Sequence, residues 1–454
     1  MQVFQIGVHI EVKNVFRFTD EEASKNVLIR LVGGTIRTGA QITDGGSVTL
    51  IKKDKYIGDD LMEKKVLLTI CAFSLYATVA HAQSSVTLYG VIDEGIMFNN
   101  NATAAGLPAG GRRFYLDSLN GPYGSRWGLK GSEDLGGGAR AIFTLESGVN
   151  LNSGALAQGG LEFGRQAFVG LSDTRYGTVT FGRQYDSVVN YAQAVTAAGY
   201  LAGEPFQHPG DLDNTANSLR TNNAIRYASP SFRGLTFGAE LSLGGMPGNI
   251  TGGGGYSAGA AYVNGPVTLG AAYLYFKNPT SSSAGVGFFT GNASGTQLTG
   301  ILNKGYATAS SYQVAIAGGT YVMGSARIGM SYSNIQYGGI SALGGATASF
   351  NNVDAGVNWI ITPFLYVGAA YDYTKGVNVA AANGQNVGNQ HFNQFSLMVD
   401  YLLSKRTDVY VEGAYQKATG VSSTGAAAVA DIGNAGDSSN SHQTLVRFGI
   451  RNKF

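Results

Sequence analysis

From residue 85 to the end of the chain, hydrophobic and polar positions alternate with a period of two. In 409–415, Val409, Val411, Gly413 and Tyr415 share one face, and Tyr410, Glu412 and Ala414 the other. The last segment repeats the pattern, with Val446, Phe448, Ile450 and Phe454 against Arg447, Gly449, Arg451 and Lys453. Side chains of a β-strand point to opposite faces in turn. An apolar face ending in aromatics, backed by a polar or small face, suits a strand with lipid outside and water inside. Sixteen such segments can be counted, among them 113–131 for the second, 162–171 for the fourth, and 324–333 and 351–360 for the eleventh and twelfth. Short turns and long Gly/Asn/Ser/Ala-rich connections alternate between them, with both ends of the array on the short-turn side. A sandwich has no reason to alternate loop length this way, whereas a transmembrane barrel does. Closure of the barrel leaves no strand edge unpaired in lipid. The expected fold is therefore all-β, a transmembrane sixteen-stranded antiparallel barrel.

The region before residue 85 reads differently. Residues 62–65 are Met-Glu-Lys-Lys, an apolar stretch runs to Ala80, and Ala80-His81-Ala82 precede Gln83. These are the three parts of a secretory signal, and the apolar stretch is short for a spanning helix. The chain thus divides into 1–61, read as an over-extended start outside the mature protein, 62–82 as signal peptide, and 83–454 as barrel. Cleavage after Ala82 would remove Cys71, the chain's only cysteine.

Composition supports this reading. The 454 residues include 67 Gly but only 13% charged residues, about half the charge of a soluble domain. Tyrosine is abundant, at 25 residues, which opposes disorder. A net charge of +2 gives no reason to expect a nucleic-acid partner. No spacing of Cys and His suggests a metal, no Gly-rich stretch opens a helix to hold phosphate, and no catalytic constellation stands out. Neither a cofactor nor an enzymatic activity is expected.

Several stretches then resemble a family. Ser84-Ser85-Val86-Thr87-Leu88-Tyr89-Gly90, directly after the signal site, resembles the first strand of Gram-negative general diffusion porins of the betaproteobacterial type. Ser125-Arg126-Trp127-Gly128-Leu129-Lys130-Gly131 resembles their second strand. Phe163-Gly164-Arg165-Gln166-Ala167-Phe168 and Phe181-Gly182-Arg183-Gln184-Tyr185 resemble the fourth and fifth, and the terminal Phe454 is similar to the family's last aromatic. The resemblance implies a homotrimer in the outer membrane, in contact with lipid and lipopolysaccharide, that passes ions and small hydrophilic solutes. It also implies a third external loop folded into the lumen as an eyelet. The matching loop is 185–221, the longest connection.

Carried over by motif, the basic side of such an eyelet is Arg126 and Arg165, with Arg226 shifted by two positions on the same face. Alternation adds Lys130 and Arg140. The acidic side would come from Glu204, Asp211 and Asp213, and which of these faces the eyelet is left open. A fixed charge at a constriction sets ion selectivity, and pore width sets the size limit. A substrate-specific channel is the alternative. It would need an aromatic track, and the inward candidates Tyr89, Tyr366 and Tyr410 form no evident series.

Overall fold

A computed structural model describes residues 84–454, apart from 104–109, 250, 280–288, 290–297 and 382–383, together with four short strands nearer the N-terminus. The proposed signal segment lies outside the described residues. The chain divides into two compact units, Met1–Ala80 and His81–Phe454. In the first, Glu11–Lys13 pairs with Leu28–Arg30 and Thr38–Ile42 with Val48–Lys52, both antiparallel.

In the second unit the alternating segments form strands. β1 is Ser85–Ala102, and β2 comes in two pieces, β2a (Gly111–Asp117) and β2b (Arg126–Gly136). Then come β3 (Ala139–Gly148), β4 (Gln166–Asp173), β5 (Gly177–Gln184) and β6 (Thr221–Ala228). β7 (Leu235–Ser242), β8 (Gly255–Asn264), β9 (Val267–Lys277) and β10 (Ser311–Met323) follow. β11 is Ala326–Ile340, β12 Ala346–Thr362 and β13 Leu365–Gly376. β14 (His391–Leu402), β15 (Thr407–Thr419) and β16 (His442–Lys453) complete the series. Each pairs antiparallel with the next, and β16 pairs back onto β1, which closes a sixteen-stranded barrel.

Turn chemistry sets the hairpins. Between β8 and β9, Asn264 pairs with Val267, and Gly265 supplies the positive φ (+55°) that a two-residue hairpin needs first. The strand faces follow the sequence alternation. Phe448 and Ile450 are 59% and 51% exposed on the outside, whereas Arg447 and Arg451 are buried inside.

Two features depart from the sequence expectation. The second strand is not continuous over 113–131. Residues 118–125 leave the wall, and the ladder between β1 and β2 skips Ile92–Glu94. The segment contains Asn120-Gly121-Pro122, and proline has no N–H to give a ladder. Ser125 patches the gap, since its hydroxyl donates to the Asp93 carbonyl (2.7 Å) and accepts from the Asp93 N–H (2.9 Å).

Secondly, β11 and β12 run well past the expected 333 and 351, so their connection shrinks to 341–345. Beyond Asn334 the outward face turns polar, so the apolar alternation fades, but the inward face becomes apolar. Tyr312, Ile335, Tyr337, Ile340, Phe350 and Phe392 all point inward and are fully buried. They pack with Val188, Leu212 and Leu219 of loop 3 (185–220) and with Leu302 and Tyr306 of loop 5 (278–310). The aromatic rings meet at ordinary contact distances, for example Tyr306 and Tyr337 at 5.3 Å. This side of the barrel has a hydrophobic core where water was expected.

Candidate functional site

On the opposite side an open cavity of about 820 Å³ remains. It is bounded by β2b and β3, by 157–159 of loop 2 (149–165), by the inner side of loop 3, and by the excursion 118–125. Its charged lining residues are Arg126, Glu146, Arg165 and Arg220.

Glu146 is the centre of the group. Alternation along β3 puts it on the inward face, and register places it beside Gly128, two residues from Arg126. Arg165 stands immediately before β4, where its own N–H donates to the Glu146 carbonyl (3.1 Å). Its Nε donates to Glu146 Oε1 (2.7 Å) and its Nη2 to the Tyr185 hydroxyl (3.0 Å). Tyr185 and Tyr89 donate to the same carboxylate, at 2.7 and 2.9 Å. Arg126 Nε lies 3.9 Å from Glu146 Oε2. Charge-assisted bonds of this kind are the stronger ones, so the carboxylate fixes the arginine side chains that face the cavity. Arg220, at the end of loop 3, donates from Nη1 to the Ser218 carbonyl (3.2 Å).

Loop 3 turns inward as a chain of short helical turns, from Val188–Ala192 through Pro209–Asp211. Its acidic residues face away from the cavity and seat the loop on its neighbours. Glu204 is buried, accepts from the Asn434 N–H (3.0 Å) of loop 8 (420–441), and sits near Asp117. Burial, then the Asp117 charge, pushes its carboxyl well above the usual range. Asp211 accepts the N–H groups of Ala216 and Ser218, and burial followed by Asp213 raises it to about 7. Asp213 belongs to a buried ion pair. His208 donates from Nδ1 to Asp213 (2.7 Å) and from Nε2 to Asp354 of β12 (2.8 Å), with Asp372 at 3.8 Å. An imidazole with carboxylates on both nitrogens holds both protons. Burial opposes that charge, but Asp213 and the two hydrogen bonds outweigh it and raise His208 well above 6.5. Burial likewise works against the Asp213 carboxylate, but His208 holds it down at about 2.

Of the residues singled out from sequence, only Arg126 and Arg165 line the cavity. Lys130 is on the same face of β2b but four residues further along, exposed, with Nζ 5.3 Å from the Tyr89 ring. Arg140 shares the face of Glu146 but is exposed, six residues or about 20 Å away. Arg226 lies opposite Glu240 on β7, at another part of the wall. Glu204, Asp211 and Asp213 are buried at the back of loop 3 and do not reach the cavity. Sequence reasoning gave no role to Glu146, Arg220 or Tyr185, although Tyr185 ends the motif of the fifth strand. Glu146 was readable by parity, since it shares a face with Arg140.

Comparison with known proteins agrees with this architecture. Residues 68–420 match the family model for Gram-negative porins. An outer membrane porin protein of Bordetella pertussis is 31% identical over 391 residues, which cover 78% of this chain and 94% of that one. Outer membrane porin protein 32 of Delftia acidovorans is 33% identical over 215 residues, 45% of this chain and 58% of its own. Among solved structures, an anion-selective porin from Comamonas acidovorans superimposes with a TM-score of 0.61 at 24% identity. That match covers 82% of this chain and the whole of the other. With a closed sixteen-stranded barrel, an inward third loop and these relatives, the chain belongs to the Gram-negative porin family and is an outer-membrane channel for passive diffusion.

Proposed function

We propose that the cavity beside Arg126, Arg165 and Arg220 is the constriction of this channel and that it favours anions. One observation carries the reading: three arginines and one carboxylate are the charged residues lining the cavity, and the loop-3 carboxylates are turned away from it. Water in an open pore screens fixed charge, but a narrow, partly desolvated passage screens it less. Arginine keeps its charge at any relevant pH, so the preference does not depend on titration of the wall. Solutes are small hydrophilic molecules, sorted by width and then by sign of charge.

The charge argument is tested by removing it. Arg126→Ala, Arg165→Ala and Arg220→Ala should each move the zero-current potential in a salt gradient towards cations. Arg140→Ala and Arg226→Ala, outside the cavity, should move it less. Equal shifts from all five would place the constriction elsewhere.

The remaining assignments extend the same reading. The protein works as a homotrimer among outer-membrane lipid and lipopolysaccharide. Residues 62–82 act as a cleaved signal, and the charged start, apolar stretch and Ala80-His81-Ala82 support a mature chain beginning at Gln83. N-terminal sequencing of the membrane-extracted protein should return Gln83, and retention of 1–61 would refute the processing.

A further inference from the structure

We propose that the wall excursion 118–125 is a second constriction element, and that Tyr123 is its size-determining side chain. The proposal rests on the cavity being the passage, but it concerns width where that reading concerns charge. A diffusion barrel needs no break in its second strand, and this one is built and held. Ser125 N–H donates to the Ser118 carbonyl (2.7 Å) and closes the excursion at its base. Val149 N–H donates to Ser125 O (3.0 Å) and Leu151 N–H to Ser118 Oγ (2.9 Å), so the start of loop 2 anchors both ends.

The direction of the excursion is inward. Gly121 lies so close over the inward-facing carboxylate of Asp93 that a Cβ there would collide with it. At the tip, the Asn120 carbonyl accepts the Glu204 N–H of loop 3 (3.3 Å), which joins the two elements directly. Residues 119–124 all line the cavity. The passage therefore has three sides: the arginine wall, loop 3, and this segment.

Tyr123 is its bulkiest side chain and remains 43% exposed, with three cationic side chains around its ring. Its ring centre lies 4.8 Å from the Arg451 guanidinium, 4.9 Å from Lys453 Nζ and 5.9 Å from Arg126. Arg126 Nη1 also donates to the Tyr123 carbonyl. An aromatic face attracts cations, so the ring is held in one place by charges around it rather than swinging freely. Arg451 is itself fixed by Asp400 (3.1 Å) and Asp408 (2.9 Å). A rigid ring at the rim of a narrow passage limits what can pass.

The test compares width with charge in the full-length barrel. Tyr123→Ala should raise single-channel conductance by about 1.5-fold and let larger neutral sugars into phosphatidylcholine liposomes, because width sets the size limit. Tyr123→Phe, which keeps the ring, should match the unaltered protein in both assays. Should Tyr123→Ala fail to assemble, Tyr123→Cys provides a second route, because Cys71 precedes the barrel. A bulky maleimide on Tyr123→Cys should then lower conductance below that of the unmodified variant. Unchanged conductance and sugar cut-off in Tyr123→Ala, or a labelled cysteine that conducts like the unlabelled one, would overturn the proposal. The charge reading fails on a different result, an Arg126→Ala channel with an unaltered zero-current potential.

Discussion

Towards the loop ends of β9–β14 the inward side chains include Phe276, Tyr312, Ile335, Tyr337, Phe350 and Phe392, and described residues of loops 3 and 5 pack onto them as a hydrophobic core. Beside β2b and β3 the lining is instead Arg126, Glu146, Arg165, Tyr185 and Arg220, and loop 3 stops short of the wall to leave the cavity open. The same loop serves both sides. Its apolar residues Leu212 and Leu219 enter the packed half, and Gln193, Gly203 and Arg220 face the open half. Its carboxylates join the seam against the wall. A charge on the right loop is therefore not yet a charge in the pore, because a folded loop has a back as well as a front.

The largest expected effect tests the seam. His208→Ala would leave Asp213 and Asp354 buried without their cation, and losing one partner of a buried pair costs about 3–5 kcal/mol. Hydrogen exchange across 203–218 should accelerate strongly. If it stays at the original rate, the ion pair does not hold the loop.

Next comes the outer face, which should be alike in both halves. Ile450→Arg puts a charge on the lipid side and should cost about 2–4 kcal/mol at midplane depth, seen as poor assembly. Thr444→Arg, nearer the strand's loop end, should be milder. Full tolerance of Arg at position 450 would mean that the register of β16 is shifted, since a one-residue slip exchanges faces.

A smaller effect comes from pH. Glu204 and Asp211 have raised values in the seated loop, so each favours seating while protonated and opposes it as pH rises from the ordinary carboxylate range. His208, raised well above 6.5, contributes its full stabilisation below that pH and loses it as pH climbs through the raised value. Asp213, held at about 2, acts oppositely but only in strong acid. Loop 3 should thus be seated more firmly at pH 5 than at pH 9, and hydrogen exchange of 203–218, corrected for the intrinsic rate, should show it. Protection that strengthens with pH would contradict this sign.

The smallest effect is a near-absence. Glu204→Gln and Asp211→Asn should leave the zero-current potential close to its original value, because these groups lie behind the loop. A clear shift towards anions would move them to the front.

The barrel was legible in the sequence because lipid imposes a strict rule. Each outward position within the bilayer must be apolar, so alternation survives along β14 to β16 and gives strand number, register and the burial of Arg447. The rule lapses beyond the bilayer, which is why the far ends of β11 and β12 read as loop. Pro122 and its neighbours could have signalled the break in β2, but the Arg126-Trp127 motif beside them drew the strand through. Arg126 and Arg165, which line the cavity, were named by motif, and alternation along the second strand agrees for Arg126. Glu204, Asp211 and Asp213 were legible as members of loop 3 and no further. Their direction depends on partners distant in sequence, such as Asp354 and Asn434, that local pattern does not reveal.

The most direct test is the zero-current potential of the unaltered protein in a planar bilayer under a tenfold potassium chloride gradient. If three arginines and one glutamate govern the passage, the potential will have the sign of chloride preference. It will shrink as both solutions are made more concentrated, because salt shortens the reach of fixed charge to about 3 Å at 1 M. A potential with the sign of potassium preference would contradict the account, since it would require the loop-3 carboxylates to face the pore.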